Sequence, residues 1–295
     1  MEVEKKFSRI KDNVWRLEEE GKEYSVKRYA DVRDAIKIRK IHELLQTVEY
    51  PFCAPVTEKG NAHIVVQPWL TDAIPVDFRK QSDRRASLTA LDALHETEAI
   101  VDWESLPFLQ TYTLLDKWSW RLERFLNKRH TIVSFLGEDA FGNIERYSEQ
   151  ALARLLTSTA REVPHTLLHG DVVHHNLLIT SEGNVSLIDF DLACTGHPDV
   201  EIALWLHRVL PKVNYNAKLL FDEEPRLQVL GQQAIAMLQY PNELLREWSY
   251  LTTLPEERQQ TLAKQLIPFT EQALIRWPEL CRFSNNLLEH DRYFP

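Results

Sequence analysis

Asp171, Asn176 and Asp189 fall within one stretch, HTLLHGDVVHHNLLITSEGNVSLIDFD at 165–191, and Asp191 closes it. Two carboxylates and one amide oxygen brought together suit a hard, oxygen-seeking cation such as Mg²⁺. That ion usually takes one or two carboxylates and completes its shell with substrate phosphates. A carboxylate such as Asp171 could also accept the proton of a substrate hydroxyl and hold it in line. Each residue has a plainer reading. Asp171 could cap a turn after Gly170, Asn176 could open a strand, and Asp189 could close one. His165, His169, His174 and His175 in the same stretch invite a zinc-hydrolase reading, but their order fits no His-rich hydrolase pattern.

The elements around these residues must be short strands. Thr166 to Leu168 is an apolar strand, and His169-Gly170-Asp171 opens a polar loop. Leu177 to Thr180 and Val185 to Ile188 read as a hairpin about a turn at Ser181 to Asn184, where Gly and Asn tolerate positive φ. The hairpin is expected to hold Asp171, Asn176 and Asp189 near one another.

His169-x-Asp171-x-x-x-x-Asn176 followed by Ile188-Asp189-Phe190-Asp191, eighteen residues on from Asp171 to Asp189, resembles the catalytic loop and metal-binding segment of the aminoglycoside phosphotransferase and choline kinase family. That family is similar in fold to the protein kinases, with their His-Arg-Asp-x-x-x-x-Asn and Asp-Phe-Gly elements. The resemblance implies an α+β, bilobal, protein-kinase-like fold with a small β-rich N-lobe and a larger, mostly helical C-lobe. It implies ATP and Mg²⁺ as cofactors, and phosphoryl transfer to a small-molecule hydroxyl. On this reading Asp171 is the catalytic base, and Asn176 and Asp189 are the metal ligands. His169 braces the metal-binding segment, and Asp191 supports it or provides a second metal ligand. Lys27 contacts the α- and β-phosphates, with Glu43 or Asp34 of the following helix as its acidic partner. Glu201 stands for the acid of the family's Pro-x-x-Asp-Leu-Ala segment, and Leu94-His95 closes a helix as the family's Leu-His does. The helix from Trp118 to Phe125 and the glycine-poor N-lobe also look like the kinase-like spore coat proteins of bacilli.

The N-terminal sequence supplies the other half of such a site. Residues 5 to 29 alternate in strand fashion about a turn at Glu18 to Lys22, and Lys27 lies on the second arm. Asp31 caps a helix to about Val48 with Ile36, Ile41, Leu44 and Leu45 on one face. Val56 to Thr57 and His63 to Gln67 read as two more strands. The order is strand, strand, helix, strand, strand over residues 1–67, with a hinge at 68–72 and a helical lobe over 73–295. At the hinge, the Gln67 carbonyl and the Trp69 amide are expected to face the adenine, with Pro68, which has no N–H, between them. Two departures from the family stand out. Ile10-Lys11-Asp12-Asn13 replaces a glycine-rich nucleotide loop, leaving Asn13 as the family-like contact, and Val172-Val173 follow Asp171 where a polar residue is common. These departures motivate a second reading, a kinase-like scaffold or binding protein that keeps the fold without the catalysis.

Beyond residue 72 the periodicity predicts helices over 83–98, 114–127, 138–159 (interrupted near Gly142), 198–210, 225–238, 241–250 and 255–277. Trp118, Trp120, Trp205 and Trp248 could form an aromatic box, but their helical spacing points to core. The chain has 295 residues, 44% hydrophobic and 27% charged, with a net charge of −9, which argues against a nucleic-acid partner. No run of apolar residues is long enough for a membrane span, MEVEKKFSRI lacks the apolar stretch of a signal peptide, and three scattered cysteines suggest neither a disulfide framework nor zinc. A cytoplasmic protein is the expectation, and the oligomeric state is not legible.

Overall fold

The computed structural model describes residues 5–290; the first four residues of the expected N-lobe and the last five of the expected helical lobe lie outside them. The chain divides into two compact units, Met1–Thr111 with Pro164–Pro198, and Tyr112–Val163 with Asp199–Pro295.

The first unit opens on an antiparallel meander, β1 (Lys5–Lys11), β2 (Val14–Glu19) and β3 (Lys22–Arg28), joined through α1 (Val32–Thr47) to β4 (Ile64–Pro68). The β2–β3 turn, Glu20-Gly21, has positive φ at both residues (54° and 72°), the backbone a two-residue hairpin requires. Alternation then divides the sheet into two faces. Leu17, Tyr24, Val26 and Val66 pack together on one, with Trp15 and Ile64 against them. Ser25, Lys27, Val65 and Gln67 stand on the other. Asp31 caps α1, its carboxylate accepting the Arg33 amide at 2.8 Å.

Two expectations fail here. The buried stripe of α1 is Ala35, Ile38, Ile41, His42 and Leu45, while Ile36 is 40% exposed. A helical face runs in steps of three and four from Ala35, and Ile36 falls a hundred degrees off it. Val56–Thr57 is not a strand. The Thr57 amide bonds the Val66 carbonyl at 2.8 Å, a single contact on the free edge of β4.

After β5 (Ile74–Pro75) and α2 (Gln81–Glu96), the unit resumes at β6 (Thr166–Leu168), β7 (Leu177–Ile179), β8 (Val185–Leu187) and β9 (Cys194–Gly196). β5, β7 and β8 form one small antiparallel sheet, and β6 pairs with β9. The hairpin expected from the sequence is therefore present, with its turn at Ser181–Asn184 and Gly183 at φ 87°.

The second unit is helical. Its elements are α3 (Leu114–Leu126), α4 (Arg129–Leu136), α5 (Glu138–Thr157), α6 (Pro198–Val209), α7 (Ala217–Glu223), α8 (Gln232–Met237), α9 (Asn242–Leu251) and α10 (Glu256–His290). Helix α5 runs unbroken through Gly142, because Phe141 and Ile144 on its buried face are fully enclosed. The helix expected over 225–238 divides into a 3₁₀ turn at Pro225–Val229 and α8, with Gly231 between them. Helices α4 and α7 escaped the sequence reading. Helix α10 continues past Trp277 through Pro278, carried by the burial of Trp277, Leu280 and Ser284. Trp118, Trp205 and Trp248 are fully buried, and Trp118 stacks on Tyr240 at 4.3 Å, so these rings are core and Trp120 stands apart at 57% exposure.

Candidate active site

The loop between β6 and β7 is set by Gly170. Its φ is +80°, and a Cβ there would lie 2.1 Å from the Leu192 carbonyl oxygen, so no other residue fits without backbone movement. The turn after it is laced internally. The Asp171 amide donates to His169 Nδ1 (3.3 Å), and Val173 N–H donates to the Asp171 carbonyl (2.8 Å). Asn176 Nδ2 donates to the Asp171 carbonyl (3.0 Å) and carboxylate (3.1 Å). Neither bond uses Asn176 Oδ1. Val172 and Val173 are buried, so the apolar pair anchors the loop from beneath.

The loop is tied to the strand that carries Asp189. Ile188 N–H donates to the Asn176 carbonyl (2.9 Å), and the Ile188 carbonyl lies 2.8 Å from His169 Nε2. With Nδ1 accepting, Nε2 carries the proton, so one imidazole joins both segments through its two nitrogens. His169 and His42 of α1 pack on the Phe190 ring at 4.7 and 5.3 Å. Asp189 itself takes the left-handed conformation, φ 67°, ψ 59°. A non-glycine residue pays on the order of 1 kcal/mol for that backbone, which the anchoring of Phe190 must offset.

Asp189 meets the N-terminal sheet. Lys27 Nζ lies 2.5 Å from one carboxylate oxygen of Asp189 and 2.6 Å from Asp191, and Lys11 Nζ lies 3.4 Å from the other Asp189 oxygen. Tyr29 donates its hydroxyl to the remaining Asp191 oxygen (2.8 Å), and Lys37 of α1 reaches the Asp191 carbonyl (3.0 Å). Burial by itself would raise the Asp189 carboxyl, but Lys27 and Lys11 carry it below its ordinary value. Burial, with the Asp191 and Asp189 charges, raises the Tyr29 phenol, so it stays a proton donor.

These contacts revise the expected partner of Lys27. The acids of α1 are not the partners of Lys27 among the described residues; Asp189 and Asp191 are. Glu43 is exposed, and the α1 position that meets Phe190 is the uncharged His42. Asp191 has both oxygens engaged, by Lys27 and by Tyr29, which makes it an anchor of the lysine. Lys11 and Tyr29 were missed. Tyr29 lies one residue past β3, two residues after Lys27, and lines the same cavity, a period-two signal that was there to read.

A cavity of about 290 Å³ opens beside this charge cluster, with Lys11, Lys27, Tyr29 and Asp189 at its polar end. Ile10, Val14, Val65, Leu178, Ile188 and Phe190 contribute its apolar walls, and Gln67 to Leu70 its rim. At that rim the Trp69 amide donates to the Glu23 carbonyl at 2.9 Å. It is spent inside the sheet, which overturns the expected Trp69 N–H contact to adenine. The pairing alternates, so Ser25–Gln67 is also a hydrogen-bonded pair and Pro68 opposite Tyr24 is not. Pro68 therefore loses no ladder bond, and its carbonyl faces outward where that of Gln67 does not. The Gln67 side chain is held by the Ala54 carbonyl (2.8 Å).

Asn13 presents its carbonyl to the Arg28 amide (2.9 Å), tying the β1–β2 turn to the end of β3; the residues at that turn lining the cavity are Ile10, Lys11 and Val14. Glu201 is fully buried in the first turn of α6 in the second unit. The neighbouring acid, Asp199, is bound by Arg161 at 2.7 and 2.9 Å and accepts the Gly231 amide at 2.9 Å. The histidines do not gather. His165 pairs with Glu104 at 3.0 Å, and no three His, Cys, Asp or Glu side chains converge on a metal position among the described residues.

The arrangement sets the Asp171–Asn176 loop and Asp189 together with two ammonium groups, Lys11 and Lys27, beside a cavity with apolar walls. Solved structures share the architecture. An aminoglycoside phosphotransferase from Alicyclobacillus acidocaldarius superposes with a TM-score of 0.70 at 16% identity, over 95% of this chain and 92% of that one. A spectinomycin phosphotransferase, in complex with AMP, gives 0.64 at 16% identity over 90% and 92%. A choline/ethanolamine kinase family protein from Mesorhizobium loti gives 0.57 at 13% identity over 96% and 92%. No curated protein sequence matches the chain. The likenesses show a protein-kinase-like fold. Residues 6–215 match the sequence profile of the phosphotransferase enzyme family, and the chain belongs to that family.

Proposed function

We propose that this protein transfers the γ-phosphoryl group of ATP, as its Mg²⁺ complex, to a hydroxyl of a small molecule in the cytoplasm. The observation that carries the reading is the junction of Lys27, Asp189 and Asp191 at the polar end of an apolar cavity, beside the Asp171–Asn176 loop. Residues 1–67 serve as the nucleotide-binding lobe. The adenine enters between Val65 and Ile188, and the outward carbonyl of Pro68 with the Leu70 amide takes its polar edge, in place of Gln67 and Trp69. Asp171 accepts the proton of the acceptor hydroxyl and orients its oxygen. Lys27, anchored by Asp191, neutralises phosphate charge.

The donor chemistry fits Mg²⁺. Asp189 supplies a carboxylate, Asn176 retains Oδ1, and few protein ligands beyond these are needed by an ion that shares its shell with phosphates. Two ammonium groups already sit on Asp189, the countercharge its position attracts. When bound, the ion would neutralise charge between the β- and γ-phosphates.

The second reading, a scaffold that binds no nucleotide, is favoured by the glycine-free β1–β2 turn. Calorimetry separates the two. Mg·ATP binding in the micromolar range, abolished in Asp189→Asn, supports the phosphotransferase. No heat with the wild-type protein would sink it. A panel of alcohol acceptors, scored by ADP release, then identifies the substrate class.

A further inference from the structure

The first glycine of the chain is Gly21, so nothing in the β1–β2 turn can bring bare backbone amides onto phosphates. The turn compensates by another route. Cross-strand pairing runs from Arg9↔Trp15 directly to Lys11↔Val14, which leaves Ile10 as an extra residue without a partner. Such a bulge breaks the alternation of faces and re-aims the side chain beyond it. The result is visible in the cavity lining, where the consecutive residues Ile10 and Lys11 both contribute, as a regular strand would forbid. The other charges of the turn are turned away: Arg9 pairs with the fully exposed Asp12 at 2.7 Å. Lys11 crosses to Asp189, its Nζ 3.4 Å from the oxygen that Lys27 leaves. The turn is held in place by the Asn13–Arg28 backbone bond.

We infer that Lys11 is a polyphosphate-binding residue, its ammonium replacing the backbone amides of a glycine loop over the β- and γ-phosphates of a nucleoside triphosphate. This rests on the phosphotransferase reading and deepens it. A lysine is a flexible point charge that can leave Asp189 for an arriving phosphate. It is 58% exposed, so nothing buries it in its present place. It gives the site two lysines on phosphate where the fold usually needs one and a loop. The selectivity it confers is for phosphate count and not for the base.

The test compares AMP, Mg·ADP and Mg·ATP by calorimetry on the full chain, as wild type, Lys11→Met and Lys11→Arg. Lys11→Met is expected to weaken Mg·ATP about tenfold or more, as loss of one charge-assisted hydrogen bond would. Mg·ADP should weaken less, and AMP less than about twofold on the same reasoning. Lys11→Arg should recover most of the Mg·ATP affinity. The inference fails, with the phosphotransferase reading intact, if Lys11→Met binds Mg·ATP as tightly as wild type. It fails equally if all three nucleotides weaken alike, since that marks a displaced hairpin. Wild-type protein that binds none of them takes both readings down.

Discussion

Asp171 and Asp189 stand eighteen residues apart in the chain and have different surroundings. Asp189 is met by two lysines and held below its ordinary pKa. The Asp171 carboxylate accepts the Asn176 side-chain amide at 3.1 Å. On the proposed reading Asp171 accepts the proton of the acceptor hydroxyl and Asp189 holds the cation. Asp171→Asn should therefore lower kcat by about 10²- to 10⁴-fold, while calorimetric Mg·ATP affinity stays within a factor of about three of wild type, because no phosphate charge is lost. Turnover unchanged in that variant would remove Asp171 from the chemistry. The grouping of Asp171, Asn176 and Asp189 was legible in residue types and spacing, and their expected roles came with the family resemblance. The exception was the partner of Lys27. An acid was sought on α1, where Glu43 is exposed, and it proved to be Asp191, whose contact depends on two strands far apart in sequence.

Among elements, the β6–β7 loop and the segment after β8 behave as one piece, because each closes the other's backbone. Gly170 lies against the Leu192 carbonyl, and His169 bridges to Ile188. Gly170→Ala places a Cβ on a backbone oxygen at a positive φ, which should cost about 2 kcal/mol or more. The urea midpoint should fall accordingly, and Mg·ATP affinity with it, since Asp189 moves with Leu192. A midpoint equal to wild type would show that the two segments yield independently. Element type followed from periodicity wherever the run was long or alternating, as in β3, α1 and the β7–β8 hairpin. It failed where one packing event outweighed local preference. Helix α10 passes two prolines because its apolar stripe stays buried, and α5 passes Gly142 for the same reason.

At the scale of the whole molecule, stability should depend on acid pH through groups the chemistry never uses. His207 of α6 is buried, its Nε2 3.0 Å from the Met237 carbonyl. Burial pushes its imidazole down to about 3 against the pull of that carbonyl, and Arg208 and Arg121 add to the depression. The unfolded chain binds a proton near the ordinary histidine pKa and the folded chain does not. Stability is thus whole above about pH 6.5 and falls as the pH drops toward 3, by about 1.4 kcal/mol per unit at most. Between pH 7 and pH 5 the wild type should lose about 2 kcal/mol more than His207→Gln, read from urea unfolding. Equal losses would place the acid sensitivity elsewhere. Among the described residues no helix is long and apolar enough to cross a membrane, and no disulfide joins the three cysteines.

Residue types and spacing marked out the two-part motif of the β6–β8 region, and the family resemblance that motif carries named the fold and the lysine opposite it. Those signals are local: periodicity, a turn residue, a fixed spacing along a short hairpin. Where the Trp69 amide goes, which acid anchors Lys27, and that Lys11 faces inward were decided in three dimensions. Each depends on register between strands or on a bulge of a single residue. A one-residue shift reverses every face it touches, and no local preference in the chain records it.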